Sequence, residues 1–284
     1  MFLVKLLSLV FAVVPDPFVM MLARIVAPFF IRASKRGKWG LRYTNIIPKV
    51  FPQKDEQWQH RAIEGNALHL MRLAGELLKA RYKTKPGVNR KCYIKEGKEY
   101  FEDLLGTGEG FIIMTCHLGN WEYAAAFIAQ NYRRLYAPVF VEESPGNRAL
   151  NWMREGRNVV ILETGYDPRR SARSLLKMID VLNKGEIVYL VADQEALGGE
   201  YRGTLFGKEL RIFGGPFILG QKTKKIILPH YNYRDENERI AICFDPPVHL
   251  NGEDLSRDID TVMEFFERHI REHPDQYIWS QDRW

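Results

Sequence analysis

The chain has 284 residues, 46% hydrophobic and 27% charged, enough apolar surface for one large α/β domain with a helical appendage, and this balance excludes wholesale disorder. Its three cysteines, Cys92, Cys116 and Cys243, are odd in number and widely spaced, which argues against a disulfide scaffold or zinc cluster and fits a reducing compartment. The net charge of +6 is uneven: residues 1–100 hold 19 Lys/Arg against 7 Asp/Glu, and residues 101–284 hold 22 against 28, an asymmetry that points to an anionic partner for the N-terminal third, either membrane or nucleic acid.

The N-terminus chooses between the two. Phe2 to Val14 is apolar apart from Lys5 and Ser8, and a second apolar stretch runs from Phe18 to Ile31, interrupted by Arg24 and Pro28. Neither stretch reaches the roughly 20 apolar residues of a straight spanning helix, which leaves lying in the interface, re-entering, or spanning with a kink. A cleaved secretory signal is a poor fit, because no small-residue cleavage site precedes Pro15. Arg32, Lys35, Arg36, Lys38 and Arg42 follow with no acid among them, a cluster suited to an anionic membrane surface and to the cytoplasmic side. No nucleic-acid motif accompanies the basic segment, so nucleic acid is set aside.

Residues 1–32 are therefore expected to be a membrane anchor, with one domain over 33–284, divided into a helical lead-in (33–100) and an α/β core (101–284). Residues 55–83 carry Trp58, Ala62, Ile63, Leu70, Leu73, Leu77 and Leu78 at helical spacing. Thr84 to Lys98 reads as a polar, basic connector. From residue 110 the texture alternates. Phe111–Thr115 reads as a buried strand, a helix begins near Trp121, and strands are expected at Pro138–Val141, Val159–Leu162, Ile187–Ala192, Ile226–Tyr231 and Ile240–Phe244. Between them lie helical stretches at Asn147–Gly156, Pro168–Lys184 (proline at its start, Gly185 as its stop), Gly214–Lys225 and Asp258–His273. Strands alternating with helices predict a mostly parallel central sheet flanked by helices, with functional loops at the carboxyl ends of the strands.

His117 stands at such an end, in the run His117-Leu118-Gly119-Asn120-Trp121-Glu122. An unbroken helix would turn Glu122 about 140° away from His117. A strand, a tight turn at Gly119 and then a helix lets the two meet, and a carboxylate on one imidazole nitrogen fixes the tautomer and makes the other nitrogen a competent base for an alcohol. The same spacing also suits a structural histidine.

HLGNWE resembles the signature of the late acyltransferases of lipid A biosynthesis and of the related phosphatidylinositol mannoside acyltransferases. Asn45 with Phe51-Pro52, Gly156-Arg157, Gly185-Glu186, Ala192-Asp193-Gln194, Phe206-Gly207, Lys222-Thr223 with Pro229, and the closing Pro274-Asp275-Gln276-Tyr277-Ile278-Trp279 with Arg283-Trp284 resemble the family's other blocks, in order and over essentially the whole chain. Gly214-Gly215-Pro216-Phe217, Lys224-Lys225 and Ser280-Gln281-Asp282 depart from its pattern, at positions that bear on acceptor or acyl-chain selection.

The resemblance implies an acyltransferase-type α/β/α sandwich at the cytoplasmic face of a bacterial inner membrane. It implies transfer of a fatty-acyl group from an acyl carrier protein or coenzyme A thioester to a hydroxyl of a lipid A precursor. Other glycolipid or phospholipid acceptors such as a phosphatidylinositol mannoside are the alternative, and a thioester hydrolase or a non-catalytic membrane-bound binding protein are rivals of another kind. His117 is then the base, with Glu122 behind it. Arg157, and after it Arg154, is the guanidinium for the oxyanion, beside backbone N–H groups near Trp121. Asp193 organises the arginine or the acceptor, and Asn120, Trp121, Arg154 and Gln194 contact substrate. Direct transfer from thioester to hydroxyl requires neither metal nor cofactor. Cys116 is read as packing, His269 and His273 as helix-end residues, and Arg170, Arg173 and Lys177 as a solvated face, the alternative being a hold on the donor's phosphopantetheine or an acidic carrier protein.

Overall fold

The computed structural model describes residues 2–35, 43–141, 145–154, 158–165, 167–193, 201–212, 214–250 and 254–279. In chain order these form α1 (Phe2–Val13), α2 (Asp16–Lys35), α3 (Tyr43–Val50), α4 (Glu56–Ala80), α5 (Lys85–Lys91), β1 (Cys92–Glu96), α6 (Lys98–Gly106), β2 (Phe111–Thr115) and α7 (Trp121–Asn131). There follow β3 (Leu135–Phe140), α8 (Pro145–Arg154), β4 (Val159–Thr164), α9 (Pro168–Asn183), β5 (Ile187–Val191), β6 (Tyr201–Leu205), β7 (Lys208–Ile212), α10 (Gly215–Thr223), β8 (Ile227–Arg234), β9 (Ile240–Phe244) and α11 (Leu255–Glu272).

Local chemistry accounts for the best-marked elements. Asp55 caps α4 by accepting from the Trp58 N–H at 2.7 Å, and Asp167 caps α9 ahead of Pro168. Gly185 stops α9 at φ +80°, where a Cβ would lie 2.4 Å from the Gly108 carbonyl oxygen.

The main sheet has the order β1-β9-β8-β2-β5-β3-β4. Every neighbouring pair is parallel except β8 with β9, so β1 and β9 run against the other five strands. This is the expected mostly parallel sheet, with one reversal near its edge. Side-chain alternation splits β2 and β5 between two cores. Ile112, Met114, Val188 and Leu190 pack with Met178 and Leu182 of α9 and with Met263 and Phe266 of α11. Phe111, Ile113, Ile187 and Tyr189 pack with Tyr123, Ala124 and Ile128 of α7 and with Phe101 of α6. Helices therefore cover both faces, which is why these strands read as unbroken apolar runs.

Three segments differ from the sequence expectation. Residues 84–98 are α5 and β1 instead of a connector: Thr84 caps α5, and β1 pairs with β9 at the sheet edge, where Lys95 and Glu96 are exposed as an edge strand requires. Residues 201–212 form a separate antiparallel hairpin, β6–β7, whose two-residue turn is Phe206-Gly207 with φ of +53° and +71°. The second apolar stretch is one 20-residue helix that runs through Pro28, held by Ala23 and Ala27 buried against the domain.

Helices α1 and α2 seat on α4 at Gly75, where a Cβ would meet Val19 Cγ1 at 2.5 Å and Phe11 at 3.6 Å. Gly75→Val is expected to lower stability by about 1–3 kcal/mol through overpacking, read as a drop in unfolding temperature.

Candidate active site

Strands β2 and β5 lie side by side and in register, with Thr115 opposite Val191 and the Ala192 N–H donating to the Thr115 carbonyl at 2.8 Å. His117 and Asp193 each stand two residues past that pair, so the register delivers them to the same place. The His117 Nδ1 is 2.6 Å from Asp193 Oδ1, and Asp193 is fully buried. Its other oxygen accepts from the Tyr277 hydroxyl at 2.8 Å. With Nδ1 turned to Asp193, the tautomer carrying its proton on Nδ1 is favoured, and Nε2 becomes the basic nitrogen.

Glu122, five residues along, was expected to accept from one imidazole nitrogen; the carboxylate at Nδ1 is Asp193, 76 residues along. Glu122 lies in the first turn of α7, lines the same cavity, and accepts from both Nε and Nη2 of Arg154 at 2.5 Å. This is a fork-to-carboxylate pair across the gap between α7 and α8, with both side chains largely covered.

The backbone around His117 is clamped from three sides. Gly119 has φ +64°, and a Cβ there would lie 2.3 Å from the Asn232 carbonyl oxygen, so only glycine fits. The segment after α11 runs antiparallel to the turn: the Gly119 N–H donates to Gln276, the Ile278 N–H donates to His117, and Leu118 bridges Tyr277. Asn66 of α4 holds that segment by donating to the carbonyls of Asp275 and Tyr277 at 3.1 and 2.7 Å. Asn120, expected to contact substrate, faces inward instead. Its Oδ1 caps α7 at the Tyr123 N–H, its Nδ2 donates to Glu76 at 2.7 Å, and its backbone N–H donates to Asn232 Oδ1 at 2.7 Å.

Glu76 is the centre of this buried network. It accepts from Arg234 Nη2 at 2.7 Å, with Lys91 at 3.7 Å. Burial alone would raise its carboxyl pKa, but the Arg234 and Lys91 charges and the bonds from Arg234 and Asn120 outweigh burial and hold it below its ordinary value of 4.5. Nearby, burial and then the Arg234 charge push His69 down to about 3, so it stays neutral.

The cavity beside His117 has a volume of about 300 Å³, at the lower end of ligand clefts. Trp121 meets the His117 ring edge-on at 4.7 Å, and Glu122, Asn151 and Arg154 supply the polar wall. The remainder is largely apolar, from Ala125, Ala137, Pro138, Val139, Leu150, Ile161 and Val191. Of the expected site residues, His117, Trp121, Glu122 and Arg154 line this cavity and Asp193 backs it. Arg157 and Gln194 lie outside the described residues, as do Arg36, Lys38 and Arg42 of the basic cluster. Cys116 turns into the opposite core, and His269 and His273 stack on Tyr231 and Tyr233. Sequence reasoning missed Glu76, Asn66, Asn232 and the positional role of Tyr277. Glu76 and Asn66 interrupt the apolar stripe of α4, which was the one visible signal; Asn232 gave none.

A family model of bacterial lipid A biosynthesis acyltransferases matches residues 1–284. The chain belongs to this family. The lipid A acyltransferase-type chain is also similar to phosphatidylinositol mannoside acyltransferases from two strains of Mycobacterium tuberculosis, each 22% identical over 191 residues, which is 66% of this chain. That stretch covers 58% of the length of these curated relatives.

Two predictions follow from the geometry. Tyr277→Phe removes a bond to a buried carboxylate and is expected to lower kcat about tenfold or more with little change in KM, at a stability cost of about 1–3 kcal/mol, read by steady-state acyl-transfer kinetics and thermal unfolding. Because the folded Glu76 carboxyl titrates below the unfolded one, its stabilisation is complete above about pH 5 and is lost as pH falls through the folded value. Glu76→Gln should therefore cost about 3 kcal/mol at neutral pH and flatten the decline of unfolding free energy below about pH 5, measured by urea denaturation.

Proposed function

We propose that this protein is a membrane-associated O-acyltransferase that moves a fatty-acyl group from an acyl carrier protein or coenzyme A thioester to a hydroxyl of a lipid A precursor, at the cytoplasmic face of a bacterial inner membrane. The observation that carries the reading is the His117–Asp193 pair at the edge of a cavity with one polar and one apolar wall, in a chain of this family. Among the described residues, Asp16–Ser34 is long and apolar enough to cross a membrane, which supports membrane association.

The chemistry balances without a covalent enzyme intermediate. The acceptor oxygen attacks the thioester carbon while His117 Nε2 takes its proton. Asp193, already bonded at Nδ1, stabilises the imidazolium that forms. The carbonyl electrons move onto oxygen, and Arg154 supplies positive charge on the cavity wall, held in place by Glu122. Arg157 remains a candidate for the same task. Collapse breaks the carbon–sulfur bond, the thiolate takes the proton from the imidazolium, and an ester and a thiol leave.

A second acceptor is favoured by the likeness to phosphatidylinositol mannoside acyltransferases: a phosphatidylinositol mannoside. The protein in detergent should be incubated with acyl carrier protein and coenzyme A thioesters against both acceptors, and acyl gain read by mass spectrometry. Acylated lipid is expected, with His117→Ala and Asp193→Asn each reducing the rate about 10²–10⁴-fold. Thioester loss without lipid acylation would make the protein a hydrolase, and an unchanged His117→Ala rate would remove His117 from the mechanism.

A further inference from the structure

We infer that α1 and α2 together form a docking face that lies flat on an anionic lipid bilayer, with neither helix crossing it. This rests on the membrane-associated reading above and specifies how the contact is made.

The first observation is how α2 is held. At one end Val19 sits against Gly75 of α4, and eight residues on Ala27 shares a core with Ile46 of α3 and Ala62 of α4. The helix is therefore fastened lengthwise to the catalytic domain. Standing it across a bilayer would drag α4 and its buried Glu76 and Lys79 into hydrocarbon. The turn between α1 and α2 is fastened as well. Lys79 Nζ donates to the Val14 carbonyl at 2.6 Å and to Asp16 at 2.5 Å, with Lys91 at 3.2 Å and Lys83 at 3.6 Å from the same carboxylate. On α1, the Ser8 hydroxyl donates to the Leu78 carbonyl of α4.

The second observation is the outward face. Phe2 is 81% exposed and Phe29 68%, and Leu6, Phe18, Leu22 and Ile25 of the same two helices are exposed as well, while the α2 residues Val19, Ala23 and Ala27 are buried. Its charges choose the partner. Lys5, Arg24 and Arg32 are exposed, and the one acid in the two helices, Asp16, is paired with lysines. Arg24 stands near the middle of α2. In a crossing helix it would sit at the bilayer centre, where a guanidinium is costly, whereas in a helix lying flat it reaches the headgroups. A cationic rim around apolar side chains is complementary to an anionic headgroup layer.

The third observation ties this face to the site. Lys5 lies over the Trp152 ring at 5.6 Å, and Arg81 stacks on the same ring at 4.6 Å and donates to its carbonyl. Trp152 is on α8, which also presents Leu150, Asn151 and Arg154 to the catalytic cavity. The docking helix thus abuts the cavity wall, and a bilayer on that face lies next to the site where a lipid acceptor is needed.

The test uses the full chain labelled with an environment-sensitive fluorophore at Leu6→Cys, Leu22→Cys or Phe29→Cys, since the native cysteines are buried. Probes are phosphatidylcholine vesicles with and without phosphatidylglycerol, carrying quenchers at the headgroup or along the acyl chain. The expected result is one common shallow depth for all three positions, about 5–10 Å below the headgroups. Binding should weaken about tenfold or more without phosphatidylglycerol. Ile25→Glu with Leu22→Glu should lower partitioning at least about tenfold with the unfolding temperature unchanged. Leu22 near the bilayer centre, with positions 6 and 29 at different depths, would overturn the flat arrangement while leaving membrane association standing. Absence of vesicle binding, or burial of the three labels in a self-associated dimer, would overturn both.

Discussion

The site depends on the parallel, in-register pairing of β2 with β5. Neither His117 nor Asp193 belongs to either strand; each is the second residue beyond one, where the chain leaves the sheet. Their 2.6 Å contact is therefore set by backbone hydrogen bonds between the two central strands and not by the flexibility of two side chains. A slip of one residue between β2 and β5 would send one of the two to the opposite face. The apolar alternation that splits Ile112 and Met114 from Phe111 and Ile113 forbids that slip, because each set is buried in its own core. The same packing that stabilises the domain thus also sets the geometry available for chemistry.

The loop after β2 needs a second constraint, since a strand end leaves backbone groups unsatisfied. The segment 276–278 supplies it by bonding to the backbone of His117 and Gly119, while its Tyr277 side chain reaches round to Asp193. One short piece of chain thereby orients both members of the pair. It is itself held by Asn66, and α4, which carries Asn66, also carries Glu76, whose bond to Asn120 fixes the start of α7. A buried acid and a buried arginine are an expensive way to cap a helix in energetic terms, since desolvation offsets much of their attraction. What they provide here is a single geometry: Asn120 has one orientation that satisfies Tyr123, Glu76 and Asn232 together.

What the sequence made legible follows from how local each cause is. β2 and β5 were readable because burial on both faces writes an unbroken apolar run, and α9 because Pro168 and Gly185 mark its ends. Gly119 was readable as a turn residue because of its place between strand and helix. The partner of His117 was not, because nearness along the chain favoured Glu122, whereas the partner is fixed by which strands are neighbours. Asp193 was correctly seen at a strand end but could not be joined to His117 without the strand order. β1 was hidden by Lys95 and Glu96, charges of the kind an edge strand carries, and the β6–β7 hairpin by residues whose apolar alternation spans only five positions per strand.

In the proposed reaction a cavity that takes a fatty chain cannot carry isolated charge, yet base catalysis creates one. The arrangement around His117 reconciles these demands by pairing before reaction. Glu122 and Arg154 neutralise each other on the wall while keeping a guanidinium in place, so a fatty chain against Ala125, Val139 and Ile161 meets no uncompensated ion. The imidazolium formed during attack finds Asp193 already at bonding distance on the side away from the cavity. In the proposed reaction charge would then appear only between groups whose counter-charges are fixed beforehand, so the surroundings need little reorganisation as the transition state forms. Water could support the same charge by reorienting, but water in this cavity would also compete with the acceptor for the acyl group. In the proposed reaction, exclusion of water by the bound substrates would separate transfer from hydrolysis, since one imidazole is able to activate either nucleophile.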